Sequence, residues 1–149
     1  MISLKNTLEE INSTSKNTLI EQLGIEYLEV KESYVKAKMP VDNRTKQPFD
    51  YLHGGASIAL AETIASLGSA VLVDLEKNEV RGAAVTANHI GAVQRGFVYA
   101  EAKLIHRGSI THVWDIEIKD QGGYRVSVCR ITVIVIPKKS QKVKASNAK

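Results

Sequence analysis

The chain has 149 residues, 44% hydrophobic and 24% charged, which fits one soluble globular domain and excludes a disordered chain. Its formal net charge is +4, but residues 137–149 (PKKSQKVKASNAK) hold five lysines and no acid; subtracting five leaves the rest at −1 and removes the electrostatic footprint of a nucleic-acid binder. A single cysteine, Cys129, excludes an internal disulfide and fits a reducing compartment.

Residues 1–136 read as one domain and 137–149 as a basic, disordered tail. The N-terminal stretch MISLKNTLEEINSTSKNTL is polar and lacks an apolar leader core, so the expected location is cytoplasmic. Leu4, Leu8, Ile11, Leu19 and Ile20 are spaced as one or two short amphipathic helices broken near Asn12–Ser15. GIEYLEVKESYVKAKMPV reads as two strands around a Lys31-Glu32-Ser33 turn, ended by Pro40. Residues 40–52 form a polar loop.

Residues 53–73, HGGASIALAETIASLGSAVLV, are too long for a strand and rich in Ala and Leu. With apolar residues on every face, this is expected to be a buried central helix. A membrane span is excluded by its glycines, its serines and a central glutamate, with no second span to partner them. After Gly82 four strand-like runs follow: AAVTANHIGAV, FVYAEAKLIHR, THVWDIEIKD and YRVSVCRITVIVI. Glycine-containing turns separate them. Cys129 lies in one of these runs and reads as a packed thiol. The order predicts an α+β domain, an antiparallel sheet of about six strands around one long helix, with an N-terminal helical segment. One such sheet covers only one side of the helix, so a homo-oligomer is expected.

The lone charge in the helix is Glu62. A buried carboxylate is expensive unless paired, and stability alone is weak reason to keep one. It is either tied to a structural partner or serves as nucleophile or general base. His53-Gly54-Gly55 opens the same helix, where free N–H groups and the macrodipole hold an anion such as an acyl-transfer oxyanion. Glycine there lets a carbonyl approach the backbone closely. Gly54 and Glu62 are eight residues apart, roughly 12 Å of helix rise. One carbonyl does not easily reach both ends, so a shared reaction requires two subunits.

QPFDYLHGGASIALAETIAS, followed by TANHIGAV, HRGSITHVWDIEIKDQGG and CRITVIVI, resembles the hotdog-fold acyl-CoA thioesterases over about residues 20–136. The resemblance is strongest to the bacterial aryl-CoA and dihydroxynaphthoyl-CoA branch, which includes the enterobactin-pathway proofreading thioesterase. It implies a hotdog fold and hydrolysis of an aromatic acyl-CoA, with 1,4-dihydroxy-2-naphthoyl-CoA of menaquinone biosynthesis as one candidate. It implies no cofactor, coenzyme A being part of the substrate, and no metal, membrane or nucleic-acid partner. It implies a dimer with shared sites, assembled further as a tetramer.

Residue by residue, the resemblance assigns Glu62 as the catalytic carboxylate and Gly54 as the N–H that polarises the carbonyl. His53 and Gln47 orient the thioester, and Ser66 assists the carboxylate or water. Gln47, His53 and Gly54 of one subunit would face Glu62 and Ser66 of the other. Gly55, Asn88, His89, Arg95, His106 and Arg107 are the substrate-binding candidates. Each has a plainer reading: a solvated loop for Gln47, a helix cap for His53, a back-bond to the Glu62 carbonyl for Ser66, an ordinary strand histidine for His89, solvated surface for Arg95 and Arg107. Two departures, Gly91-Ala92 and Arg107-Gly108-Ser109, lie where family members meet the nucleotide end of coenzyme A. Phe49, Tyr51, Leu60, Ile64 and Leu67 border an apolar pocket or belong to the core. Two rivals remain: a hotdog dehydratase, which needs an Asp–His pair not seen beside the helix start, and a non-catalytic acyl-CoA or acyl-carrier binding module.

Overall fold

The structure, a computed structural model, describes residues 1–138. The tail expectation therefore lies, from residue 139 on, outside the described residues. Two short helices come first, α1 (Leu8–Ser13) and α2 (Leu19–Gln22). Thr7 and Glu10 form a reciprocal capping box on α1, and Thr18 caps α2. Strands β1 (Glu26–Lys31) and β2 (Tyr34–Pro40) lead into a loop and then the central helix α3 (Gly54–Ala70). Four strands complete the chain: β3 (Asn78–His89), β4 (Phe97–Arg107), β5 (Thr111–Asp120) and β6 (Arg125–Pro137). All pairings are antiparallel, in the order β1-β2-β4-β5-β6-β3.

The sheet wraps one side of α3. Alternation along the strands decides which side chains meet it. Val35, Ala37 and Met39 of β2, Val98, Ala100 and Ala102 of β4, Trp114, Ile116 and Ile118 of β5, and Ile131 and Val133 of β6 are buried against Leu60, Ala61, Ile64 and Ala65 of α3. Trp114 is the largest fully buried side chain. It fits because Gly68 has no Cβ; one added there would lie 2.6 Å from the indole ring. The indole N–H donates to Ser69 Oγ at 2.9 Å, so the one polar atom of the ring is satisfied.

The strand expected after Gly82 begins earlier, at Asn78, and ends at His89. Ile90 and Gly91 instead turn both their N–H groups to the Val126 carbonyl, and Val93 accepts from Leu52. β3 is an edge strand, half-buried from Asn78 to Val80 and exposed from Arg81 to Thr86. The helix also departs from expectation: Ile58, Ala59, Glu62, Thr63, Ser66 and Ala70 form a half-exposed stripe that the sheet does not cover. No helix among the described residues is long and apolar enough to cross a membrane.

Candidate active site

The loop before α3 is pinned from both sides. Buried Thr45 donates to the Pro40 carbonyl at 2.8 Å and accepts, through its own carbonyl, the His53 N–H at 2.8 Å. Leu52 N–H reaches Val93 O at 2.7 Å, and Gln47 N–H reaches Tyr51 O at 2.8 Å. Gln47 is half-buried, and its Oε1 accepts the Phe49 N–H at 2.5 Å, leaving the amide nitrogen available to donate.

His53 is the N-cap of α3. Its Nδ1 accepts the Gly55 N–H at 2.8 Å, so its proton sits on Nε2, facing away from the helix. Capping and orienting a substrate are thus compatible roles. The Gly54 N–H has no hydrogen-bond partner among the described residues, whereas those of Gly55, Ala56 and Ser57 are taken. A free donor at the positive end of a 17-residue helix suits a developing oxyanion.

Gly54 also allows His89 to pack on the helix start; a Cβ there would lie 2.7 Å from the His89 ring. Ser127, fully buried, donates to Asn88 O at 3.2 Å and meets His89 Nδ1 at 3.0 Å. Ser127 thereby holds the His89 ring in place beside Gly54. Ser127 was not singled out from sequence, because only the register His89↔Ser127 brings it there.

Glu62 lies on the uncovered stripe of α3, half-buried, with no ion-pair or hydrogen-bond partner among the described residues. It borders a cleft of about 430 Å³ with Ser66, Thr63 and Ala59 of α3, Val80 of β3 and the N-terminal segment. Ser66 makes no back-bond to the Glu62 carbonyl and faces the same cleft. Gly82 gives the carboxylate its room: a Cβ at that position would lie 2.0 Å from Glu62 Oε1. The β3–β6 register shifts between Gly82 and Ala84, so a bulge sits beside Glu62. A glycine inside a strand marks such a close approach, and that was the available signal for Gly82.

The remaining residues are spread more widely. Asn88 borders a separate hollow with Asp115 and Arg130, away from Glu62. Arg107 bonds Glu32 at 2.9 Å and the Leu72 carbonyl at 3.2 Å, where its charge complements the C-terminal end of α3. It therefore sits about 24 Å along the helix from Gly54. His106 is exposed beside Gly108, and Arg95 is exposed in the turn before β4. Leu60 and Ile64 are core; Leu67 borders the cleft; Phe49 projects into solvent. Among the described residues no cluster could hold a metal ion.

Residues 49–127 match the family model of the thioesterase superfamily. The chain belongs to that superfamily. The proofreading thioesterase EntH of Cronobacter turicensis is 42% identical over 130 residues, 87% of this thioesterase and 94% of the relative. The ComA2 protein of Bacillus subtilis is 46% identical over 123 residues, 83% and 98% of the two chains. Among solved structures, a mutant of thioesterase PA1618 from Pseudomonas aeruginosa superposes with a TM-score of 0.87 at 40% identity, covering 90% of this chain and 96% of the other. Thioesterase HI1161 from Haemophilus influenzae gives 0.85 at 41% identity, covering 92% and 96%. The hotdog architecture expected from sequence is the observed one, and the chain is a thioester hydrolase.

Proposed function

We propose that this thioesterase hydrolyses acyl-CoA thioesters with an aromatic acyl group, 1,4-dihydroxy-2-naphthoyl-CoA of menaquinone biosynthesis being the first substrate to try. The observation that carries the reading is Glu62, a half-buried carboxylate without a protein partner, bordering a mostly apolar cleft. A structural role for it requires a partner, and none is present among the described residues.

In the proposed reaction the Gly54 N–H binds the thioester oxygen, and the helix dipole stabilises the charge that develops there. Glu62 either attacks the carbonyl or takes a proton from the attacking water. Ser66, one turn further on, donates to the carboxylate or positions that water. His53, protonated on Nε2, and the Gln47 amide orient the thioester. Coenzyme A leaves as the thiol, so no resident cofactor enters.

The active unit in this reading is a dimer. The roughly 12 Å of helix between Gly54 and Glu62 favours pairing the helix start of one protomer with the carboxylate of its partner. The twelve-residue edge strand β3, exposed over its middle, supports the same conclusion, since a long open edge invites a second copy. A tetramer would pair two such dimers, and Arg95, His106 and Arg107 would meet the nucleotide end.

The test is thiol release from naphthoyl, benzoyl, phenylacetyl, short-chain and long-chain CoA thioesters. Preference for the aryl thioesters supports the proposal; preference for aliphatic chains, or release from none, refutes it.

A further inference from the structure

The inward row of β6 is apolar except at one place. Val133, Ile131 and Cys129 are buried in the core, and Ser127 continues their alternation as a fully buried hydroxyl. A buried hydroxyl costs free energy unless it is hydrogen-bonded. Ser127 Oγ lies 3.2 Å from Asn88 O and 3.0 Å from His89 Nδ1, both at the end of β3. His89↔Ser127 is the last pair of the β3–β6 ladder. Beyond it Ile90 and Gly91 both donate to the Val126 carbonyl, at 2.9 and 3.0 Å, and the strand ends. Gly91 permits that exit, because a Cβ there would lie 2.7 Å from Arg125 O.

This stretch reaches the start of α3 twice. The His89 ring packs on Gly54, where a Cβ would lie 2.7 Å from both Cδ2 and Nε2. Val93 O accepts the Leu52 N–H at 2.7 Å, two residues before Gly54. Gly54 is the residue whose N–H has no partner among the described residues. His89 is itself exposed, so core packing does not place its ring. Among the described residues its side chain is held by Ser127 alone.

We propose that Ser127 is a positioning residue of the reaction: it anchors the His89 ring against Gly54, and the ring fixes the direction in which the Gly54 N–H points. The inference rests on the role given to Gly54 above and deepens it. An N–H at the first helical position has no intrahelical bond to hold it. The ring on Gly54 and the Leu52–Val93 bond just before it restrain that N–H before the thioester arrives, as a preorganised oxyanion donor requires. Ser127 touches no reacting atom, and its effect passes through His89.

The experiment measures kcat and KM for thiol release by Ser127→Ala, His89→Ala and the double variant, on the thioester that the wild type hydrolyses best. Each single variant should lower kcat about tenfold and leave KM within about twofold. The double variant should be no slower than His89→Ala alone, because Ser127 acts through that ring. A packing role for Ser127 would add its own loss. His89→Ala alters an exposed side chain, so its kcat is read on a folded protein whatever Ser127→Ala does to stability. A second pair of variants tests Gly54 separately. In the His89→Ala background, Gly54→Ala and Gly54→Pro both have room for a Cβ, and only the proline lacks the N–H. Proline suits the first helical position, and His53 before it is already extended, with φ −72° and ψ 130°. Gly54→Pro should be at least about a hundredfold slower than Gly54→Ala. With that difference intact, a normal kcat in His89→Ala or additive losses in the double variant would overturn the positioning role and leave Gly54 as the donor. Equal rates for the alanine and proline variants would remove the donor, and this inference with it.

Discussion

Gly82 and Glu62 are in such close approach that a Cβ on Gly82 would fall 2.0 Å from Glu62 Oε1. Backbone on β3 and side chain on α3 have been fitted to each other, and the β3 bulge marks the place. Gly82→Ala must therefore push the carboxylate aside. It should lower kcat at least tenfold with KM little changed, since a misplaced reacting group is costly. Steady-state kinetics with a good thioester checks this. In a Glu62→Asp background, whose shorter side chain avoids the clash, Gly82→Ala should cost much less.

Trp114 and Ser69 form a buried polar contact within the core. Ser69→Ala leaves the indole N–H unsatisfied in a fully buried place and should cost about 1–3 kcal/mol. Urea unfolding would show a lower midpoint at unchanged slope. The site lies at the far end of α3 from Gly54, so kcat should stay near the wild-type value.

His112 is buried, and its Nδ1 has no partner among the described residues. Burial, and then the charges of Arg107 and His106, hold its pKa below the usual histidine value. The unfolded chain therefore binds this proton more readily than the native one. Stability is fully present above about pH 6.5 and declines as the pH falls from there through the native value. His112→Gln should flatten this dependence. Denaturant midpoints of the two proteins between pH 8 and pH 5 measure it directly.

If the site is shared between protomers, two crippled chains should rescue each other. Glu62→Gln supplies an intact helix start, and the double variant Gln47→Ala with His53→Ala supplies an intact carboxylate. Refolding them together should restore on the order of a quarter of wild-type activity, as random pairing into symmetric dimers gives. Activity no higher than the sum of the separate variants would place both halves in one protomer.

Much of the fold was legible because its signals are local. Strict alternation in β4, β5 and β6 put Trp114, Ile116 and Ile118 on one face, and the glycine-containing turns marked their ends. The lone charge of α3 singled out Glu62. The rest depended on tertiary placement. The polar residues Asn78, Glu79 and Arg81 at the start of β3 broke the alternation, so Gly82 looked like a boundary when a bulge lies there inside the strand. Small residues such as Ala59 and Ala70 made α3 look apolar all round, although they line an open cleft. Leu60, Ile64 and Phe49 looked like possible pocket walls; the first two face the sheet and the third faces solvent. Ser127 carries no sequence signal of its own, since it is defined by what the register brings beside it.

The most direct test of the account is kcat for Glu62→Gln on the thioester that the wild type hydrolyses best. The substitution keeps shape and removes the charge that attacks or takes the proton. The account predicts a loss of at least a thousandfold, with the variant unfolding at or above the wild-type temperature because an unpaired, half-buried charge has been removed. A folded Glu62→Gln protein with near-normal kcat would contradict it, and the catalytic group would have to be sought elsewhere.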